Sequence, residues 1–251
     1  MKRHALAALI VAAGFGGTAA VAHASEMTPY DSTWAGWSAA ATTDAHFTSV
    51  TGTWTEPVAP CGTQASQASF WVGLGGGYAS TAFYGPIQIG TDSDCTYKRH
   101  QPSYYAWWET YPDPNVYIHL RITPGDTLTG TVTVNPTFAT LTIRDNTTGA
   151  TFTKIRHLHL KPVATQSAEW VVEGPYITLD CPLLTPFAPV TFTNASATQT
   201  LADGAPHTGS IADPAWNYQS DNIWAPPNYS TAGPLNPTSN GFTVSTTQPA
   251  D

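Results

Sequence analysis

The sequence predicts an all-β protein, a sandwich or barrel of antiparallel strands. No long window places apolar residues at the 3.6-residue spacing of an amphipathic helix, and short alternating runs recur instead. Clusters of Gly, Pro, Asn and Asp separate these runs, as turns do between strands. Nine Trp and eleven Tyr supply material for a core, although only 10% of the residues are charged. This combination is typical of an antiparallel β-protein.

The chain begins with a segment that has the pattern of a secretory signal peptide. Lys2 and Arg3 precede a small-residue apolar run, and Ala22-His23-Ala24 has the small-x-small pattern of a cleavage site. No later stretch approaches the ~18 apolar residues that a membrane-spanning helix needs. We therefore expect residues 1–24 to be removed and residues 25–251 to form one domain that is secreted to the extracellular space.

Removal of the signal peptide leaves a strongly acidic protein. Lys2 and Arg3 are two of the nine basic residues, so seven remain against seventeen Asp and Glu, a net charge of about −10. Such a surface repels the phosphates of nucleic acids and of anionic membranes. We therefore expect a monomer with no nucleic-acid partner and no membrane partner.

Three cysteines remain in the mature chain, Cys61, Cys95 and Cys181. In an oxidising compartment they predict one disulfide and one leftover thiol. Cys61 and Cys95 flank the segment Phe70–Gly90 and would tie its two ends together, so we favour this pair. The pairings that involve Cys181 stay open.

Eleven runs qualify as strands because they alternate in polarity or are rich in β-branched and aromatic residues. In chain order they are Phe47–Trp54, Ala68–Leu74, Ala82–Ile89, Tyr104–Tyr111, Val116–Ile122, Thr127–Val134, Ala139–Asp145, Thr151–Leu160, Ala168–Val172, Val190–Asn194 and Gly241–Thr246.

The connections between these strands carry turn chemistry. Asp145-Asn146-Thr147-Thr148-Gly149 joins the seventh strand to the eighth. Gly75-Gly76-Gly77 ends the second strand and indicates a hairpin or a flap. Asp92-Ser93-Asp94 lacks the further spaced oxygens of a calcium loop and is interpreted as an ordinary loop. The segment Pro214–Pro237 is predicted to be a long loop packed on the domain.

Side-chain parity selects one sheet face as a candidate groove, because successive residues of a strand point to opposite faces. Phe70, Val72 and Leu74 form an apolar face, and the opposite face combines aromatic with polar residues, which resembles a substrate groove. The alternative is a set of ordinary outward-facing polar residues. The face carries Trp71, Gly73, Gly75, Gln88, Tyr105, Trp107, Glu109, Tyr111, Glu169, Val171 and Glu173.

Short motifs along the chain carry a family resemblance. They include Trp34-Ala35-Gly36-Trp37, Thr53-Trp54-Thr55-Glu56-Pro57, Phe70-Trp71-Val72-Gly73-Leu74-Gly75-Gly76, Pro86-Ile87-Gln88-Ile89-Gly90, Tyr105-Ala106-Trp107-Trp108-Glu109 and Ala168-Glu169-Trp170-Val171-Val172-Glu173. In this order they resemble the glutamic peptidases (eqolisins, peptidase family G1), over nearly all of the mature chain. Only a short segment separates Ala24 from Trp34, so the chain resembles a bacterial-type homologue with a short propeptide or none.

The resemblance implies a sandwich of two curved antiparallel sheets, of the concanavalin or lectin-like type, with a groove on the concave face. It implies a catalytic dyad of Gln88 and Glu173. It assigns substrate binding to Trp71 and Trp107 as groove walls and to Glu109 as a secondary carboxylate, with Tyr105 beside them. Gly75 and Tyr105 stand where the family commonly has Asp, which affects the proton network and the pH optimum.

The implied function is a secreted, acid-acting endopeptidase that needs no metal, no cofactor and no covalent intermediate. Glu173, when ionised, takes a proton from an attacking water and later protonates the leaving amine. Gln88 donates to the developing oxyanion and orients the water, and it stays neutral at every pH. The substrates are polypeptides.

Two other functions fit parts of the pattern. Glu109 and Glu173 would serve as the carboxylate pair of a glycoside hydrolase, although Gln88 then has no role. A non-catalytic sandwich that binds carbohydrate or protein would explain the two missing acids as lost activity.

Overall fold

Two stacked β-sheets make up the part of the chain that the computed structural model describes, residues 33–77, 86–95, 101–158, 165–174, 183–225 and 228–246. These residues form no α-helix, so the all-β prediction is confirmed. Their strands are β1 (Trp34–Ala40), β2 (His46–Thr55), β3 (Ser66–Gln67), β4 (Ser69–Leu74), β5 (Ile87–Cys95), β6 (Pro102–Thr110), β7 (Val116–Arg121), β8 (Thr127–Val134), β9 (Phe138–Asp145), β10 (Thr151–His157), β11 (Ser167–Glu173), β12 (Leu183–Leu184), β13 (Val190–Thr200), β14 (Pro206–Ser210), β15 (Asn217–Asp221), β16 (Ile223–Ala225), β17 (Asn228–Ala232) and β18 (Phe242–Thr246).

The first sheet carries the candidate groove face. Its long strands lie in the order β7-β6-β5-β4-β11-β1-β15, and every neighbouring pair among them is antiparallel. The second sheet has the order β10-β9-β8-β2-β13-β18-β17-β16, with β14 beside β13. The strands β4, β5 and β11 are distant in sequence, yet they lie side by side at the centre of the first sheet.

The core fills the space between the two sheets. Phe70, Val72 and Leu74 of β4 are fully buried there, as parity predicts. Burial of an aliphatic or aromatic side chain of this kind contributes roughly 1.5–3 kcal/mol. Polar contacts also cross the interface, since Trp54 Nε1 donates to Thr91 Oγ1 at 3.1 Å and Trp170 Nε1 donates to the Thr51 carbonyl at 2.7 Å.

The Cys61–Cys95 disulfide is present, with a Cα–Cα separation of 5.5 Å. It joins the loop before β3 to the end of β5, so the favoured pairing is confirmed. Cys181 and the signal-peptide segment lie outside the described residues. Among the described residues there is no helix long and apolar enough to cross a membrane.

Two predictions about loops are wrong. Asp92-Ser93-Asp94 belongs to β5, because its polar side chains find partners on both faces of the sheet: Trp107 Nε1 of β6 donates to Asp92 Oδ1 at 2.6 Å, and Ser93 Oγ donates to Glu56 Oε1, after β2, at 2.8 Å. The segment Pro214–Pro237 contains β15, β16 and β17, which pair with strands of both sheets. Buried Trp216 and Ile223 anchor it, and such side chains favour strand pairing over a solvent-exposed loop.

Candidate active site

Three parallel rows of side chains cross the groove face of the first sheet. The strand register places one residue of each of β6, β5, β4 and β11 opposite the next. We call them the glutamine row (Glu109, Gln88, Gly73, Glu169), the tryptophan row (Trp107, Gly90, Trp71, Val171) and the aspartate row (Tyr105, Asp92, Ser69, Glu173).

Gly73 brings Gln88 and Glu169 together in the glutamine row. The two residues lie on the strands that flank β4, and both are opposite Gly73. Two strand spacings separate their Cα atoms by about 10 Å, and glycine leaves the space between them open. A Cβ on Gly73 would lie 3.1 Å from Gln88 Cβ and 2.9 Å from Trp71 Cζ3. The absence of a side chain at position 73 therefore allows two long polar side chains to converge.

Gln88 is held by one of its amide hydrogens. Its Nε2 donates to Glu109 Oε2 at 2.5 Å, and the residue is only 5% exposed. Its Oε1 atom is buried and has no hydrogen-bond partner among the described residues. The NH₂ group has a second hydrogen. The side chain thus offers one acceptor and one donor for a reacting group.

Glu169 is fully buried, and its two oxygens differ. Oε1 accepts hydrogen bonds from the backbone N–H groups of Gly76, at 3.2 Å, and Gly77, at 2.8 Å. Oε2 is buried and has no partner within the described ranges. Burial raises the pKa of Glu169 to about 8, although Ser167 and the two glycine N–H groups oppose this shift. A proton on Glu169 therefore belongs on Oε2, the oxygen without donors.

The turn after β4 builds the donor pair for Glu169. Gly75 has a φ of +91°, which is in the left-handed region that favours glycine. This conformation follows β4 directly and aims the next two N–H groups at the carboxylate. Gly75, which replaces a family acid, thus serves a backbone role here. The segment beyond Gly77, which would form the predicted flap, lies outside the described residues.

The acids of the aspartate row anchor the indoles of the tryptophan row. Trp71 Nε1 donates to Glu173 Oε2 at 2.9 Å, and Trp107 Nε1 donates to Asp92 Oδ1 at 2.6 Å. Trp34 meets Trp71 edge to face at a centroid distance of 4.9 Å. Trp71 has no exposed surface and Trp107 has 3%. Both tryptophans lie on the predicted face, but they are buried beneath its surface instead of forming exposed groove walls.

Glu173 does not lie beside Gln88. It is opposite Ser69, four residues along β4 from Gly73, which corresponds to about 13 Å. Burial of its carboxyl group raises the pKa of Glu173 to about 7, and hydrogen bonds from Trp34 and Trp71 oppose the shift. The structure therefore brings Gln88 together with Glu169 and Glu109, and it places Glu173 in another row.

Sequence reasoning missed three features of this face. It did not pair Glu169 with Gln88, it did not place Asp92 and Asp94 in a strand, and it did not include Trp34. Parity already placed Glu169 on the groove face. Asp92 and Asp94 follow Gln88 at even spacing and so share its face, a signal that the loop interpretation concealed. Trp34 begins β1, a strand that the pattern of alternation did not predict.

The buried carboxyls predict that the protein is more stable in acid. Burial raises the pKa of Glu56 and Glu169 to about 8 and that of Asp92 to about 7. A carboxyl with a raised folded-state pKa stabilises the fold below its unfolded value, and this stabilisation is lost as the pH rises through the folded value. We expect the melting temperature in calorimetry to be highest near about pH 4 and to fall toward about pH 8.

Glu56→Gln is the control for this prediction. Glu56 is 1% exposed and bonds Ser93 on the core side of the sheet, away from the groove face. The variant should show a flatter decline of the melting temperature with pH. A wild-type melting temperature that rises from pH 4 to pH 8 would contradict the prediction.

Comparison with known proteins bears on the family and on the fold. The profile of the Peptidase A4 family matches residues 32–224. Aspergillopepsin-2 of Aspergillus niger is 30% identical over 206 residues, which cover 73% of this chain and 70% of that protein.

Solved structures share the fold. Scytalido-glutamic peptidase with a transition state analog inhibitor superposes with a TM-score of 0.66 and 22% identity, over 86% of this chain and 98% of that one. Aspergilloglutamic peptidase from Aspergillus niger gives a TM-score of 0.55 and 28% identity, over 72% and 98% of the two chains. The eqolisin SCP-B, in complex with the tripeptide Ala-Ile-His, gives 0.64 and 22%, over 86% and 98%. The sandwich of two sheets is thus confirmed.

Proposed function

Since this chain belongs to the Peptidase A4 family and is a glutamic endopeptidase, we propose that it is a secreted, acid-acting enzyme whose catalytic pair is Gln88 and Glu169. The observation that carries this proposal is the glutamine row. Gln88 and Glu169 face each other across Gly73, and each has one buried oxygen without a partner among the described residues. Those two oxygens are suited to hold a water and a scissile peptide group.

Glu169 begins the reaction in its protonated form. Burial raises the pKa of Glu169 to about 8, so the neutral acid predominates throughout the acidic range. This starting state differs from the ionised base that the sequence suggested. Activity should fall as the pH rises through the pKa of Glu169, because the ionised carboxyl has no proton to donate.

Addition of water is the first chemical step. Gln88 Oε1 accepts a hydrogen bond from the water and orients it, and the free N–H of Gln88 donates to the carbonyl oxygen. Glu169 Oε2 gives its proton to that oxygen while the water attacks the carbonyl carbon. The resulting carboxylate takes the surplus proton of the water. A neutral tetrahedral diol and a protonated Glu169 result.

Collapse of the diol completes hydrolysis. Glu169 Oε2 protonates the amide nitrogen as the C–N bond breaks, and the carboxylate then takes a proton from one diol hydroxyl. The products are a carboxylic acid and an amine, and Glu169 has its proton again. The Gly76 and Gly77 N–H groups stabilise each transient carboxylate. The protons balance without a metal or a covalent intermediate.

The other groove residues support this pair. Glu109 fixes the Gln88 amide through the 2.5 Å hydrogen bond, and Tyr105 and Trp107 continue the face along β6. Trp71, which is fully buried, acts through packing under the groove. The proposed substrates are polypeptides, since similar peptidases have been solved with a peptide based transition state analog and with a tripeptide.

Secretion is part of the proposal and has two supports. The first is the signal-peptide pattern of residues 1–24. The second is the Cys61–Cys95 disulfide, since disulfides persist in oxidising compartments. The peptidase is favoured over the glycoside hydrolase alternative, which leaves Gln88 without a role and draws its two carboxylates from different rows of the groove face.

The purified mature chain tests the activity directly. We expect it to degrade an acid-denatured protein between about pH 2 and about pH 6, and to lose activity toward about pH 8. Pepstatin, which targets paired aspartates, should not inhibit it, and neither should a metal chelator. A folded chain that cleaves no polypeptide at any pH would contradict the proposal and support the binding-only alternative.

A further inference from the structure

Tyr105 lies between two carboxyl groups on the groove face. Its Oη atom is 2.8 Å from Asp92 Oδ2 and 2.5 Å from Asp94 Oδ2. A phenol has one hydrogen and donates to one oxygen only. The second close contact is a hydrogen bond only if the other carboxyl is protonated and donates to Tyr105 Oη. The geometry therefore requires one proton on the aspartate pair.

The partners of each carboxyl indicate where this proton lies. Asp92 accepts hydrogen bonds from Trp107 Nε1, Tyr105 and Ser69, so three donors stabilise its anion. Asp94 has Gln67 Nε2 at 3.5 Å, and its Oδ1 is buried with no partner in the described part of the chain. Burial raises the pKa of both aspartates, that of Asp92 to about 7, so the hydrogen-bond donors decide between the two sites for the shared proton: it lies on Asp94, which donates to Tyr105, and Tyr105 donates to Asp92.

The surroundings favour retention of the proton. Burial raises the pKa of both aspartates, and the charge of Asp94 adds to the shift at Asp92. Glu173 of β11 faces the pair across Ser69, and Asp92 in turn raises the pKa of Glu173. Arg121 of β7 is the cation opposite Tyr105. Two negative charges beside one phenol are therefore unfavourable in the acidic range.

We propose that Tyr105 and Asp94 are positioning residues, and that the proton they share with Asp92 fixes the indole of Trp107 next to the catalytic pair. Trp107 precedes Glu109 by two residues on β6 and points to the same face. Loss of the shared proton leaves two anions that compete for the single hydrogen of Tyr105, so Asp92 and the Trp107 indole that it holds are less firmly fixed and substrate binding weakens as the pH rises. This proposal rests on the proposed peptidase function, because it concerns the groove of that site.

Asp92 and Asp94 lie two residues apart on the same face of β5, and the phenol of Tyr105 spans the gap between them. The three groups form one proton network with a hydroxyl at its centre.

Asp94→Asn is the most direct test. The asparagine NH₂ donates to Tyr105 at every pH, so the variant mimics the protonated aspartate permanently. We expect the wild-type KM for a polypeptide to rise about tenfold between about pH 5 and about pH 7, as the hydrogen bond from the neutral Asp94 carboxyl to Tyr105 is lost. In Asp94→Asn the KM should change less than about twofold over this range, with kcat similar to that of the wild type.

Tyr105→Phe and Tyr117→Phe form a matched pair. The two rings contact each other at a centroid distance of 4.8 Å, and of the two hydroxyls it is that of Tyr105 that bonds the aspartates. Tyr105→Phe should raise KM about tenfold at acidic pH and move its further rise to lower pH. Tyr117→Phe should leave both KM and its pH dependence unchanged. Equal KM profiles for the two variants would overturn the role of the Tyr105 hydroxyl.

An infrared measurement separates this proposal from the peptidase function. Near about pH 6, where exposed carboxyls are ionised, the buried Glu56 and Glu169 give protonated-carboxyl bands in both proteins, and the wild type should show additional intensity that is absent from the spectrum of Asp94→Asn. This difference does not depend on activity, so it would persist in a chain that proved inactive. Identical carboxyl bands and identical KM profiles for the wild type and Asp94→Asn would show that Asp94 carries no proton.

Discussion

Glu169→Gln is expected to lower kcat/KM for a polypeptide substrate by about 10²–10⁴-fold, the usual range for loss of a general acid–base group. The amide has nearly the shape of the protonated carboxyl, but it cannot give up a proton to the carbonyl oxygen or to the leaving nitrogen. Glu169 Oε1 has two backbone donors, and glutamine can still accept both with its carbonyl oxygen. The fold should therefore persist in acid, as circular dichroism and the melting temperature can verify.

Two further glutamate variants test whether the loss of activity is specific to Glu169. Glu173→Gln keeps an acceptor for Trp71 and should reduce kcat/KM by less than about tenfold. Glu56→Gln alters a glutamate that is as deeply buried, with its pKa likewise raised to about 8, and should leave kcat/KM unchanged per folded molecule. Activity retained in Glu169→Gln and abolished in Glu173→Gln would restore the dyad that the sequence suggested.

Gln88→Ala is expected to reduce kcat by about 10²–10³-fold, which is typical for removal of an oxyanion donor. The variant loses the acceptor that orients the water and the donor that faces the carbonyl oxygen. It also leaves Glu109 Oε2 without the amide that it binds at 2.5 Å. Steady-state rates at several substrate concentrations would show the loss in kcat more than in KM, because the oxyanion forms only in the transition state.

Gln199→Ala is the matched control for Gln88. Gln199 is also a buried strand glutamine, it lies in the second sheet, and its Nε2 donates to the Ala215 carbonyl at 3.1 Å. The control variant loses a comparable amide, so its melting temperature should fall while the kcat of the folded fraction stays that of the wild type. A Gln88→Ala variant with near-wild-type kcat would exclude Gln88 from the chemistry.

The face of each site residue could be predicted from the sequence, but the pairing of those residues could not. Alternation along β4, β5, β6 and β11 places Trp71, Gln88, Glu109 and Glu169 on one side of the sheet, and the structure confirms each placement. Parity gives no information about register, because a shift of two residues keeps the face and changes every neighbour. Glu169 and Glu173 have equal parity, and only register distinguishes them.

Strands rich in polar residues, Pro or Asn were also mispredicted, because their composition is that of loops. Asp92 and Asp94 resemble turn residues in composition, yet they lie in β5, where Tyr105 and Trp107 of the neighbouring strand form hydrogen bonds with them. The strands β15, β16 and β17 lie in a segment rich in Pro and Asn. Their pairing partners are remote in sequence, and local propensity carries no signal for such contacts.

The sequence alone determined the fold class, the groove face and the place of Gln88 on it, and it favoured the Cys61–Cys95 pair without excluding the pairings of Cys181. These features depend on composition, on period-2 alternation and on the order of short motifs, all of which are local properties of the chain. The tertiary structure decided that Gly73 lies between Gln88 and Glu169, and that Tyr105 reaches two aspartates at once. Such relations arise from the register between strands distant in the chain, which the packing of the whole sheet fixes.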